Sequence, residues 1–302
     1  AALDIPAPRP SYVAMTTTRR IERHLGDWMR ARLPGWAAEL VMFLLKMGWS
    51  GLFGLSLLVA IIGTKLIWSD AMPLHRYDFL VIVALGLQAL FLALKLETWE
   101  EARVIALFHL TGTAMEFFKV HAGSWSYPEP GLFKILGVPL FSGFMYASVG
   151  SYIARVWRIF DFRFTAYPPR WATWLLAVAI YVNFFAHHWL PDTRLLLFAA
   201  LFVLFVRTRI WFTVWRTPRW MPLLLGWFLV ALFIWFAENL GTFARAWTYP
   251  DQSAGWSMVS PAKLGAWYLL MYISFVLVSW VARVRAPSPR SQTATAGRPL
   301  ES

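Results

Sequence analysis

An all-α, polytopic membrane helix bundle is the fold class this sequence predicts. Three observations predict it: apolar residues gather into about eight runs, basic residues crowd alternate connections, and the second half repeats a motif of the first. Hydrophobic residues fill 59% of 302 positions, charged residues only 15%, and the mean hydropathy is +0.53. That is more apolar than a soluble domain of this length. Cysteine is absent, which excludes a disulfide framework, a thiolate nucleophile and a Cys-ligated metal or iron–sulfur site. The net charge of +12 sits on Arg residues placed between apolar runs rather than on one face, so it speaks for orientation in a membrane and against a nucleic-acid partner. Membrane lipids are the expected partners, and the cell (inner) membrane the expected location.

Residues 1–38 read as a cytoplasmic basic arm. Ala1 to Ala14 carries three prolines and no helical period, so it is expected to be disordered with Met15 as the natural start. In Thr17 to Trp36 the residues Ile21, Leu25, Trp28, Met29 and Trp36 share a helical face with Arg19, Arg20, Arg23 and Arg30 mostly away from it. An interfacial helix and a disordered basic arm both fit that pattern.

Residues 39–285 form the expected transmembrane bundle. With roughly 20 residues needed per span, helices are placed near Leu40 to Ile62, Phe79 to Leu94, Val104 to Phe118 and Gly137 to Phe160. Four more fall near Trp171 to Trp189, Leu195 to Trp215, Pro222 to Phe243 and Leu264 to Val284. The sixth needs Arg207 and Arg209 to snorkel. With both termini inside, inner segments collect 20 of the 28 basic residues and outer loops seven, leaving Lys46 within the first helix. Seven spans would destroy that regularity. Residues 286–302 are polar and proline-punctuated, as in a disordered cytoplasmic tail.

An offset of 122 residues aligns Glu116 with Glu238, Trp125 with Trp247, Tyr127 with Tyr249, Pro128 with Pro250, Pro139 with Pro261, Gly143 with Gly265 and Tyr146 with Tyr268. The chain therefore reads as two tandem four-helix repeats, about 39–160 and 161–285, parallel and related by a pseudo-twofold axis along the membrane normal. The prolines fit helix ends, and the two glycines fit close helix packing. Trp125, Tyr127, Trp247 and Tyr249 suit either an aromatic belt or a ligand lining.

Glu116 and Glu238 stand near the ends of apolar spans, where a carboxyl is costly unless it faces protein or water, and they are the candidate catalytic residues. Ion pairing of Glu116 with Lys119 and of Glu238 with Arg245 is the structural alternative. His121 joins the four aromatic residues as a candidate substrate contact. His187, His188 and Asp192 lie on the same side, but no H-x3-H or E-x2-H spacing occurs, so no metal is assigned. His109, seven residues before Glu116, reads as a polar contact inside the bundle. No phosphate loop or nucleotide fingerprint is present, and no cofactor is implied.

The segment MEFFKVHAGSWSYPEPGLFKILGVPLFSGFMYASVGSYIARVW resembles the bacterial integral membrane proteins grouped as DUF817, over most of Glu39 to Arg285. Glu116, Gly123, Trp125-x-Tyr127 and Leu136-Gly-Val-Pro139 also resemble the membrane carotenoid 1,2-hydratases and, less closely, the membrane lycopene cyclases. Those enzymes protonate a double bond of a long polyene, which implies a cofactor-independent acid/base enzyme for a lipophilic, isoprenoid-like substrate. A carrier or lipid-binding protein without catalysis is the alternative.

Overall fold

In the computed structural model residues 27–29, 31–69, 71–214 and 218–287 are described. The expectations for Ala1 to Ala14, for most of Thr17 to Trp36 and for nearly all of the tail fall outside them. Two-thirds of the chain's described residues, 66%, are helical. Its helices are α1 (Gly35–Ser50), α2 (Leu52–Ile67), α3 (Arg76–Ala93), α4 (Trp99–His121), α5 (Phe141–Ile159), α6 (Arg170–Ala186), α7 (Arg194–Phe205), α8 (Leu223–Phe243) and α9 (Pro261–Val281). Among the described residues five short strands, β1 (Lys134–Ile135), β2 (Val138–Pro139), β3 (Arg163–Thr165), β4 (Arg209–Thr213) and β5 (Pro218–Pro222), modify the all-α expectation.

Local chemistry sets the boundaries. The expected first helix is broken at Gly51, which ends α1 and starts α2 with a bend of 70°. Glycines at 48, 51 and 54 leave little side-chain packing to hold the segment straight. The third helix begins earlier than expected because Thr98 and Glu101 form a reciprocal capping box, with hydrogen bonds of 3.2 and 2.9 Å. The apolar run from Leu195 to Trp215 is not one helix. It divides into α7 and the strand β4, which pairs with β3 on one side and β5 on the other. Twelve residues rise only about 18 Å, short of a hydrocarbon core about 30 Å thick.

Among the described residues three helices, α3, α8 and α9, are long and apolar enough to cross a membrane, or four with α1 and α2 taken as one bent span. Helix α4 falls outside that group because it carries Glu100, Glu101, Arg103, Glu116 and Lys119. Large apolar side chains nevertheless face outward along most helices, among them Leu85, Leu110, Val178, Phe202 and Phe236. Such surface needs an apolar environment.

Two ends of the bundle are distinct. At the sheet end, Arg219 pairs with Glu39 of α1, the Phe164 amide donates to Arg285 O after α9, and Glu101 at the start of α4 pairs with Arg158 at 3.0 Å. At the loop end, Ser126 and Thr248 exchange two backbone hydrogen bonds of 3.0 and 2.9 Å, joining the α4–α5 connection to the α8–α9 connection. Arg76, opening α3, bonds there to Thr64, Glu129 and the carbonyls of Ile61 and Ala244. Successive segments run between these ends, with α1 and α2 together making one passage.

Candidate functional site

The loop end is built so that a connection folds back over a helix. Helix α4 stops at Ala122, and Gly123 takes a left-handed conformation (φ +71°) that most side chains disfavour. The chain thereby turns Trp125 and Tyr127 back onto Glu116. Three residues at the start of α3 fix this connection. Asp78 accepts from the amides of Leu132 and Phe133 at 2.9 and 2.8 Å, Arg76 pairs with Glu129 at 2.7 Å, and the Tyr77 hydroxyl accepts from the Glu129 amide at 3.4 Å while donating to Ala246 O of the α8–α9 connection at 3.0 Å. Lys134 adds a bond to Tyr127 O at 2.6 Å.

Glu116 is 2% exposed and accepts three side-chain hydrogen bonds. Trp125 Nε1 and the Tyr127 hydroxyl each donate to Oε2 at 2.8 Å, and the Tyr146 hydroxyl donates to Oε1 at 2.7 Å. Tyr146 reaches it because Gly112 lies beneath its ring. A Cβ at Gly112 would stand 2.7 Å from the Tyr146 Cβ, Cγ and Cδ2. Gly112→Ala should therefore push the ring off α4, cost about 1–3 kcal/mol through overpacking, and weaken the Tyr146 bond to Glu116. A lower thermal midpoint in detergent, with an altered ring environment in near-ultraviolet circular dichroism, is the expected result.

Glu238, 4% exposed, accepts from the Tyr249 hydroxyl and from Trp267 Nε1. Burial, then the adjacent carboxylates, push the hydroxyls of Tyr127 and Tyr249 well above the usual tyrosine range. Both stay protonated and act as donors.

Neither ion pair set against the catalytic assignment is formed. Lys119 turns to His188 Nε2 at 3.1 Å and lies over the Phe184 ring at 4.0 Å, while Arg245 is exposed. Among the described residues no salt bridge involves Glu116 or Glu238.

Both carboxyls instead open on one cavity of about 730 Å³, shared by α1, α2, α4 and α5 with α8 and α9. Its lining is apolar except near the loop end, where Glu116, Glu238 and Lys263 are its only charged residues among those described. The Lys263 ammonium sits 4.1 Å from the Tyr249 ring centroid and 5.5 Å from that of Trp125. Trp125 and Tyr249 themselves meet edge to face at 6.1 Å, so the two carboxyl shells are in contact. From Leu223 to Glu238 the cavity follows α8 for about 22 Å at 1.5 Å per residue.

Of the residues expected to contact substrate, Trp125, Tyr127, Trp247 and Tyr249 line this cavity, and His121 does not. His121 is exposed at the end of α4, past the last turn that faces the interior. Trp247 covers Gly241 rather than bonding to Glu238. Trp267 takes that place. His109 lies against Gly143 and meets the Phe144 ring at a tilt of 39°, centroids 4.3 Å apart, outside the cavity lining. Tyr146, Trp267 and Lys263 were missed from sequence. Tyr146 had a signal in its match to Tyr268, whereas the repeat partner of Trp267 is Met145.

A buried carboxyl with phenol and indole donors, beside an apolar cavity and aromatic faces, can pass a proton to an apolar ligand and stabilise positive charge on it.

Comparison with known proteins places the chain in sequence space. The family described as "Protein of unknown function (DUF817)" matches residues 39–275. "Uncharacterized protein YoaT" of Bacillus subtilis (strain 168) is 44% identical over 233 residues, covering 76% of this chain and 88% of that protein. No solved structure matches.

Proposed function

The chain belongs to the DUF817 family, and we propose that it is a multi-pass cell-membrane protein whose cavity takes up a long apolar, isoprenoid-like molecule and whose carboxyls Glu116 and Glu238 transfer protons at one end of it. One observation carries this reading: two buried carboxyls, neither in a salt bridge among the described residues, share the loop end of one long apolar cavity. One carboxyl gives a proton to the ligand and the other orients water or takes a proton back. The rings of Trp125, Tyr127, Tyr146, Tyr249 and Trp267 stabilise a cationic intermediate. No cofactor is needed for that chemistry.

We take the chain as two tandem repeats, a reading that supports a shared site. Ser126 and Thr248, which exchange hydrogen bonds at the loop end, are 122 residues apart, and so are Glu116 and Glu238. An antiparallel bridge between equivalent residues has a local twofold relation. We take the eight passages of the chain between the two ends as eight membrane spans, with the shorter helices completed by the sheet and loops at their ends. The sheet end, rich in Arg, then faces the cytoplasm. Reporter fusions at both termini should read as cytoplasmic, and one after Pro250 as external. A cytoplasmic reading after Pro250 would remove the eighth span and with it the parallel repeat.

A second reading, a carrier or lipid-binding protein, is favoured by the reach of the cavity to Phe160, Ile210 and Phe212 at the sheet end, since a molecule can lodge there without meeting a carboxyl. Mass spectrometry of lipid extracts separates the two. Expression of the wild-type chain should create a lipid species changed by water addition or isomerisation and missing with Glu116→Gln or Glu238→Gln. A lipid that co-purifies unchanged with all three forms contradicts the enzyme and supports the carrier.

A further inference from the structure

We propose that the cavity opens sideways into the hydrocarbon core of the bilayer, between α1 and α8, so that its ligand is a bilayer-dissolved molecule that enters without crossing water. This rests on the membrane placement proposed above and not on the chemistry of the carboxyls.

The portal is visible as residues that line the cavity while facing outward. Leu44 on α1 is 58% exposed, and Leu229 and Phe233 on α8 are 49% and 60% exposed, yet all three belong to the cavity wall. Gly48, one turn after Leu44 on α1, is also exposed and also lines the cavity. The break at Gly51 explains the opening. Helix α2 packs against α8, but the 70° bend carries α1 away to pack on α5, and the wall is left incomplete below the elbow. Lys46 donates to Val214 O at 2.5 Å and Arg219 pairs with Glu39, so α1 is held in the bent position by the sheet-end strands.

Chemistry identifies the medium that the portal faces. Leu44, Gly48, Leu229 and Phe233 offer water nothing to hydrogen-bond, and the other outward residues of the two helices, among them Leu40, Leu45, Leu225 and Phe236, are equally apolar. At the loop end Trp125 and Tyr127, on either side of the bridged Ser126, bond to Glu116, and Tyr249, next to Thr248, bonds to Glu238, so both carboxyls are buried beneath the bridged connections' own side chains. From Leu229 to Glu238 is about 14 Å along α8. A ligand entering tail-first or head-first through the portal thus reaches the carboxyls entirely within protein and lipid.

The absence of cysteine makes the test direct. Ser148 lines the cavity, and Ser148→Cys places one thiol inside it. In phosphatidylcholine proteoliposomes this thiol should react with pyrenyl maleimide, which partitions into the bilayer. A charged methanethiosulfonate should react about a hundredfold more slowly, because an ion enters hydrocarbon reluctantly. Gly48 has open space around it, so Gly48→Phe should fold normally, fill the mouth and halt the pyrenyl maleimide reaction. Gly86→Phe on α3, equally open, should leave the reaction unchanged. Comparable rates with the charged reagent, no reaction with either reagent, or indifference to Gly48→Phe would each overturn the portal. The control Leu85→Cys, on the outward face of α3, keeps the two claims apart. If that thiol also reacts readily with the charged reagent, the membrane placement itself has failed.

Discussion

Glu116→Gln and Glu238→Gln should each lower turnover by about 10²–10⁴-fold, the usual worth of a positioned general acid or base. Glutamine is isosteric: with its carbonyl oxygen in the Oε2 place it still accepts from Trp125 and Tyr127 at position 116, or from Trp267 at position 238, and the Tyr146 or Tyr249 hydroxyl can rotate to accept from its NH2 group. Expression and thermal midpoint should therefore change little, while the amide cannot exchange a proton. The two substitutions together should cost hardly more than either alone, because residues that act as a unit are not additive. Glu116→Ala is a different experiment. It strips three buried donors of their acceptor, and each such loss costs about 1–3 kcal/mol, so it should unfold the loop end as well as abolish turnover. Full activity in either glutamine variant would leave the paired motif as a folding signature only.

Arg155→Ala should destabilise the chain by about 3–5 kcal/mol, the cost of leaving a buried partner charge without compensation. Arg155 on α5 and Glu97 in the α3–α4 connection form an ion pair at 2.6 Å with both side chains fully buried. Glu97 also accepts from Gln88 at 2.6 Å and Ser151 at 3.2 Å. Burial pushes its carboxyl up, and Arg155, Gln88 and Ser151 pull it back toward the charged form. The double variant Glu97→Gln with Arg155→Met removes both charges, and it should recover most of the loss because well-packed neutral groups replace such pairs at little cost. Thermal unfolding in a neutral detergent measures both. A change below about 1 kcal/mol for Arg155→Ala would mean that the pair is open to water.

Hydropathy located α3, α8 and α9 to within a few residues because their apolar runs are long and end at polar residues or proline. It could not find the elbow at Gly51, since Leu40 to Ile62 is apolar on both sides of the break and an apolar run carries no direction. It merged α7 with β4 for a similar reason. Residues Arg209–Thr213 (RIWFT) are as apolar as a helix end, and what makes them a strand is pairing with Arg163–Thr165, more than forty positions earlier. Within the site, Glu116, Trp125, Tyr127, Glu238, Trp247 and Tyr249 were legible as a repeated pattern. The pattern also hid something. Trp267 holds Glu238 on the side where the first half uses Tyr146, and Trp247 does not reproduce the bond of its counterpart Trp125. Equal spacing after Glu116 and after Glu238 therefore does not mean equal surroundings, and the asymmetry suits an acid and a base made from the same residue type.

The most direct test is an experimental structure of the protein purified from its own membranes with lipid retained. Elongated density should run along α8 from the level of Leu223 to the loop end and finish within hydrogen-bond distance of Glu116 or Glu238. A cavity that stays empty, or a lipid that lies in it with its end remote from both carboxyls, would contradict the assignment of this pair to a lipophilic substrate.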